Sequence, residues 1–257
     1  MDFYLGTHMP NWLGLYDIPL FVSRRKLYSR RSFPRAHHPW RLDSGGFSEL
    51  SMFGEWQTSA EQYAQEVKLF SDEIGCLDRA AIQDWMCEPF IIKKTGFDVD
   101  KHQRRTIDSY KRLSDLAPEI PWMPVLQGYR LGEYLEHIEM YEKANVDLLS
   151  LPIVGIGSIC RRQHTQEAES IIHRLASLGL RLHGFGFKLR GLERVAADLA
   201  SADSMAWSFA ARMEPPLAGH THKNCANCAE YALGWYAKVM QRISNSCIRP
   251  RQAYLPI

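Results

Sequence analysis

The chain has 257 residues, 46% hydrophobic and 23% charged, with a formal net charge of +2; this balance suits one globular unit and excludes disordered, collagen-like and fibrous chains. No apolar run reaches membrane-spanning length, and the opening Met1-Asp2-Phe3-Tyr4 lacks the basic and apolar regions of a secretory leader, so the expected address is the cytoplasm. Six cysteines are too few for a disulfide framework in a chain this long.

Short β-rich segments alternate with longer amphipathic ones. Strands are expected over 3–6, 20–23, a few residues around Leu42, 80–83, 122–126, 148–153, 181–187 and 204–208. Apolar residues fall at helical spacing over 60–74, 99–116, 131–144, 165–178 and 189–199, while 10–39 is irregular and loop-rich. Alternation of this kind implies parallel strands joined by right-handed crossovers, either a (β/α)8 barrel of the TIM type or a doubly wound sheet. The barrel is preferred because polar or glycine residues recur where strands end: Asp43, Asp84, Gln127-Gly128, Gly155 to Gly157, Gly184 to Gly186 and Asp203. A barrel gathers such positions around one mouth, whereas an open sheet spreads them along an edge. The barrel is assigned to 1–214, and an appendage to 215–257, with a helix over 230–243 that docks on the body.

Three segments carry chemistry. Leu42-Asp43-Ser44-Gly45-Gly46-Phe47 places a carboxylate beside a hydroxyl and two glycines, so backbone and acid can both approach the polar edge of a flat heterocycle; the same residues also make a good turn. Between Arg24 and Arg41 stand Arg24, Arg25, Lys26, Arg30, Arg31, Arg35 and Arg41 with no acid, interleaved with Tyr28, Phe33 and Trp40. Such a positive, aromatic loop suits a phosphate backbone with bases available for stacking, or else is a solvated loop paired to acidic neighbours. Lys101, Arg104 and Arg105 form a second candidate patch. The tail His220-Thr221-His222-Lys223-Asn224-Cys225-Ala226-Asn227-Cys228 offers four ligands within nine residues, a set suited to tetrahedral Zn²⁺, with Cys247 as an alternative to His220. With no nearby carboxylate and no evident open position, the zinc reads as structural.

Taken together, Asp43-Ser44-Gly45-Gly46-Phe47, Gln83-Asp84-Trp85-Met86-Cys87-Glu88-Pro89, Leu126-Gln127-Gly128, Val154-Gly155-Ile156-Gly157-Ser158, His183-Gly184-Phe185-Gly186, Asp203 and the terminal cysteines resemble the motif series of tRNA-guanine transglycosylases. Those are zinc-bearing (β/α)8 barrels that exchange guanine for a 7-deazaguanine. The opening Tyr4-Leu5-Gly6-Thr7-His8 and the His/Cys tail are similar to the compact branch that modifies DNA, found in phages and genomic islands. The resemblance implies Asp203 as nucleophile and Asp43 as acid and base; Asp198, five residues before Asp203 on what reads as a helix surface, is the rival acid. It implies Asp84, Gln127, Gly128, Gly155, Gly157 and Gly184 around the purine, with Ser44, Gly45 and Gly46 at the rim. Two departures favour DNA over tRNA as the partner: two histidines precede the cysteines where the tRNA enzymes have a third cysteine and a later histidine, and Ser158 replaces their glutamate. The alternatives are a tRNA-directed enzyme and a zinc-stapled barrel that binds nucleic acid without catalysis.

Overall fold

The computed structural model describes the backbone of residues 1–248 and side chains through residue 244. Among these, β1 (Asp2–Thr7), β2 (Leu20–Ser23), β3 (Trp40–Asp43), β4 (Leu77–Ala81), β5 (Trp122–Met123), β6 (Val125–Leu126), β7 (Val154–Ile156), β8 (Leu182–Gly184) and β9 (Ser201–Ser204) form one sheet in the order β5-β4-β3-β2-β1-β9-β8-β7-β6. Every ladder is parallel. The two strands at the ends of that order, β5 and β6, are consecutive in the chain and flank Pro124. Lacking an N–H, proline interrupts a ladder, so the first half of this stave pairs with β4 and the second half with β7. The sheet therefore closes into a barrel of eight staves, as expected.

Helices α1 (Gly46–Phe53), α2 (Ala60–Ile74), α3 (Pro89–Thr95), α4 (Val99–Leu116), α5 (Leu131–Lys143), α6 (Gln166–Ser177), α7 (Leu189–Val195), α8 (Ala206–Met213) and α9 (Ala229–Ile248) surround it. Alternation with period two sends one face of each strand outward to them. Phe3, Leu20, Leu42, Val154, Leu182 and Ala202 thus enter the two large apolar layers between strands and helices. The other face, including Tyr4, Arg41, Asp43, His183, Ser201 and Asp203, turns into the barrel.

Two expected strands are displaced. Residues 148–153 form turns, because Asp147 Oδ1 accepts from Leu149 N and the Asp147 carbonyl from Ser150 Oγ, and Pro152 cannot donate; the stave is Val154–Ile156. Likewise 204–208 is mostly helix: β9 ends at Ser204, whose Oγ accepts from Ala206 N as α8 begins. Helix α7 stops at Val195. The short helices α1, α3 and α8 were not expected.

The tail returns to the barrel. Phe3 meets Trp235 and Tyr236 of α9 at ring-centroid distances of 5.9 and 6.0 Å, and Ala232 is fully buried in one apolar layer. No described helix is long and apolar enough to cross a membrane.

Candidate active site

Since every strand runs the same way, all their C-terminal ends open at one mouth. Asp43 is the last residue of β3, opposite Ser23 at the end of β2. Its carboxyl accepts from the Ser23 side chain and the Gly45 backbone; burial pushes its pKa up, and the nearby Asp203 charge pushes in the same direction, while Arg25 opposes. Gly45 is left-handed at φ +84°, the turn that starts α1, and the Arg25 stem lies against its bare face. Ser44 is buried.

Asp203, on β9, is 6% exposed. Gly186 N donates to its Oδ1 at 3.1 Å, yet burial dominates and raises its pKa to about 7. Asp84, three residues beyond β4, is likewise raised to about 7 by burial, against the hydrogen bond from Gln127. Burial thus raises the carboxyl pKa of all three acids at this opening, a setting in which neighbouring carboxyl groups can differ in protonation state. Asp198 precedes β9, so it sits at the opposite end of the barrel, in a cleft with His173 and Arg181.

Gln127 lies at the centre of a buried chain. Its Nε2 donates to Asp84 Oδ2, and its Oε1 lies 2.7 Å from Ser158 Oγ. That hydroxyl is also 2.9 Å from Glu88 Oε2 and accepts from Cys87 N at 2.8 Å. Ser158 adopts φ +56°, a strained conformation for a residue with a side chain, which fits its role as hub. Gly157 is required here because a Cβ would overlap the Gln127 amide. At Gly128, Gly155 and Gly184 the space a Cβ would occupy is taken by Tyr134, Phe185 and Phe187.

The basic segment is not one patch. It is the crossover from the end of β2 to the start of β3, and such a connection must traverse the height of the barrel. Arg24 turns inward, 4% exposed, with Nε 2.5 Å from Glu66 Oε2, so it presents no charge to a ligand. Arg41 is buried within the barrel on Asp78. Arg25 and the exposed Lys26 stay near the mouth. Arg30 donates to Asn11 and Arg31 is exposed, whereas Arg35 donates to the Asp72 carbonyl near the end of α2, at the far side of the barrel. In the second candidate patch, Arg104 pairs with Asp100 and Arg105 lies over Trp85 and Phe97.

The mouth also carries an aromatic and cationic cluster whose members lie far apart in the sequence. Phe47 opens α1, Phe90 opens α3, and Arg161 follows β7; its guanidinium lies 4.7 Å from the centroid of each exposed ring. Each residue is ordinary in its local sequence, and only barrel closure brings them together.

His220, His222, Cys225 and Cys228 have ligand atoms all within 4.8 Å of one another and could hold a metal ion. His220 Nδ1 is 3.3 Å from His222 Nε2 and 3.7 Å from Cys228 Sγ, and His222 Nε2 is 3.1 Å from Cys225 Sγ. Ligands on one tetrahedral zinc stand roughly 3.3–3.8 Å apart, so the donor set fits. The expectation of no nearby carboxylate is corrected by Glu230, whose Oε2 is 3.0 Å from His220 Nε2, the outer partner that orients a metal-bound imidazole. The side chain of Cys247 lies outside the described residues.

No curated protein matches the chain. Residues 1–253, nearly the whole sequence, match the family described as DpdA, DeoxyPurine in DNA protein A, and the chain therefore belongs to this family of DNA-guanine transglycosylases, related to the tRNA-guanine transglycosylases.

Proposed function

We propose that this protein exchanges guanine in DNA for a 7-deazaguanine through a covalent glycosyl-aspartate. The observation that carries the reading is the placement of Asp43, at the end of β3, and Asp203, on β9, on the inward faces of strands that open at one mouth. Asp203 attacks C1′ of the target nucleotide; the C1′–N9 bond breaks with its electron pair going to guanine, and Asp43 supplies the proton to the departing base. The incoming deazaguanine then gives its N9 proton to Asp43 and attacks C1′. The ester bond breaks, and the Asp203 carboxylate is restored. Asp84 reads the amide edge of the purine, with Gln127 held rigid behind it by Ser158 and the Gly45-Gly46 backbone at the rim.

A paired base cannot present C1′ to a buried carboxylate, so the target nucleotide is flipped out or lies in a single strand. Arg25, Lys26, Arg30 and Arg31 follow the phosphates, and the Phe47–Phe90 pair capped by Arg161 offers a stacking surface beside the opening. His220, His222, Cys225 and Cys228 hold a structural zinc, which supplies a clamp on the tail and takes no part in the exchange.

Mass spectrometry of nucleosides after incubating DNA and tRNA separately with the protein and a panel of deazaguanines tests the reading. A deazaguanine nucleoside appears in DNA with the wild type and is absent with Asp203→Ala, which still binds DNA. Product in tRNA alone, or undiminished exchange by Asp203→Ala, overturns it.

A further inference from the structure

Below the site, the barrel is filled by a chain of polar groups that neither the sequence nor the family match assigns. Asp78 Oδ2 accepts from Tyr4 Oη at 2.8 Å and from Arg41 Nε at 2.7 Å, and the Arg41 guanidinium lies 4.2 Å from the Tyr4 ring centroid. One terminal nitrogen of Arg41 donates to Ser201 Oγ at 2.6 Å and faces His183 Nδ1 at 3.1 Å. His183 is fully buried, with Phe21 stacked on its ring at 5.3 Å.

The tautomer follows from these contacts. Arginine can only donate, and Ser201 Oγ, 2.9 Å from Nδ1, already accepts from Arg41 and can turn its own proton to the ring, so Nδ1 is the acceptor of both and the proton of a neutral imidazole is then on Nε2. Burial first, and then the charge of Arg41, hold the ring neutral. Nε2 is itself buried with no hydrogen-bond partner, yet it stands 3.4 Å from Asp203 Oδ1. Its proton faces the carboxylate across a gap that a small tightening would close, as happens when a reactive complex forms.

We propose that His183 is a positioning residue, locked as the Nε2–H tautomer by Arg41, whose N–H docks on Asp203 and holds that carboxylate ionised and aimed at the mouth. The inference rests on Asp203 being the nucleophile. A donor that bonds the charged form favours ionisation, which opposes the burial that disfavours it. The other ionisable groups coupled to Asp203 are Arg41 and Asp43 on β3 and Cys160 after β7. Tyr4, level with Asp203 on β1, sends its hydroxyl to Asp78.

Two variants separate donation from packing. In His183→Leu the acidic limb of the exchange rate moves upward by about one pH unit, which is roughly a tenfold loss against the wild type at pH 6. In His183→Gln, whose amide can place an N–H near the position of Nε2, the limb stays close to that of the wild type. An unmoved limb in His183→Leu, or an equal shift in both variants, overturns the proposal. Nitrogen-15 NMR of the wild-type protein removes any dependence on the variants folding: His183 is expected to carry its proton on Nε2 with a shift that follows Asp203 titration, and a proton on Nδ1 refutes the idea. Should Asp203→Ala retain exchange, the catalytic reading fails while the tautomer measurement still reports on the His183–Asp203 contact.

Discussion

Asp203 owes its position on the pH scale to competition at a single residue. Burial raises its carboxyl to about 7, while the Gly186 N–H and Arg41 pull it down. The folded state therefore holds a proton that the unfolded chain has released, and stability falls as pH rises from about 4 to 7 and levels off above that. Asp203→Asn removes this penalty. The variant is expected to match the wild type near pH 4 and to exceed it above pH 7 by on the order of 2–4 kcal/mol, measured by urea unfolding across pH. A constant difference at every pH would show that Asp203 is ionised without strain in the folded protein. Exchange follows the opposite trend, since attack requires the ionised form, and its rate rises through about pH 7.

At the scale of the element, the β2–β3 crossover combines two functions that charge alone does not separate. Arg24 is bound into the wall by Glu66 and Glu49, and Arg25 and Lys26 emerge beside the mouth. Arg24→Ala leaves Glu66 without the cation that binds both its oxygens, while Glu49 keeps Arg25 at 3.8 Å, and a loss of about 3 kcal/mol in unfolding free energy is expected. Replacing Lys26 and Arg31 by alanine leaves stability nearly unchanged but reduces the slope of log K against log salt for duplex DNA by about 2, close to 0.9 per phosphate contact. Arg35→Ala, at the other end of the barrel, leaves that slope as it was. Salt titrations of the three variants side by side check the assignment, and equal slopes throughout would remove the crossover from the DNA interface.

For the molecule as a whole, α9 and the His/Cys cluster close the outside of the barrel where the first and last staves meet. The turn holding the cluster is tied to α8 through Ser208 Oγ and the Ala226 carbonyl at 2.8 Å, and α9 covers Phe3 of β1. Zinc bound by four donors would join these parts. Prolonged chelation, or Cys225→Ser, is expected to lower the melting temperature by roughly 4–8 °C, equivalent to ~2 kcal/mol in a chain of this size, and to expose α9 to proteolysis first. Metal analysis alongside thermal unfolding is the measurement; an unchanged melting temperature after verified metal removal would deny the clamp.

The alternation of β-rich and helical segments was enough to define the barrel, because period-two and period-3.6 patterns survive in local sequence and parallel strands need crossovers. Asp43, Asp84, Gln127 and Asp203 were legible for the same reason, as polar residues at strand ends, and the His/Cys run was legible because its ligands are close in the chain. Where local hydrogen bonding competes with periodicity the pattern misled, as at Asp147 and Ser204. Closure of the sheet decided the rest. It buried Arg24 and Arg41, which composition had grouped with surface cations; it packed Tyr134, Phe185 and Phe187 against Gly128, Gly155 and Gly184; and it set His183 between Arg41 and Asp203, residues separated from it by 142 and 20 positions. Contacts across a barrel depend on which strands become neighbours and which face each residue turns inward, and those are properties of the closed sheet, absent from any window of sequence.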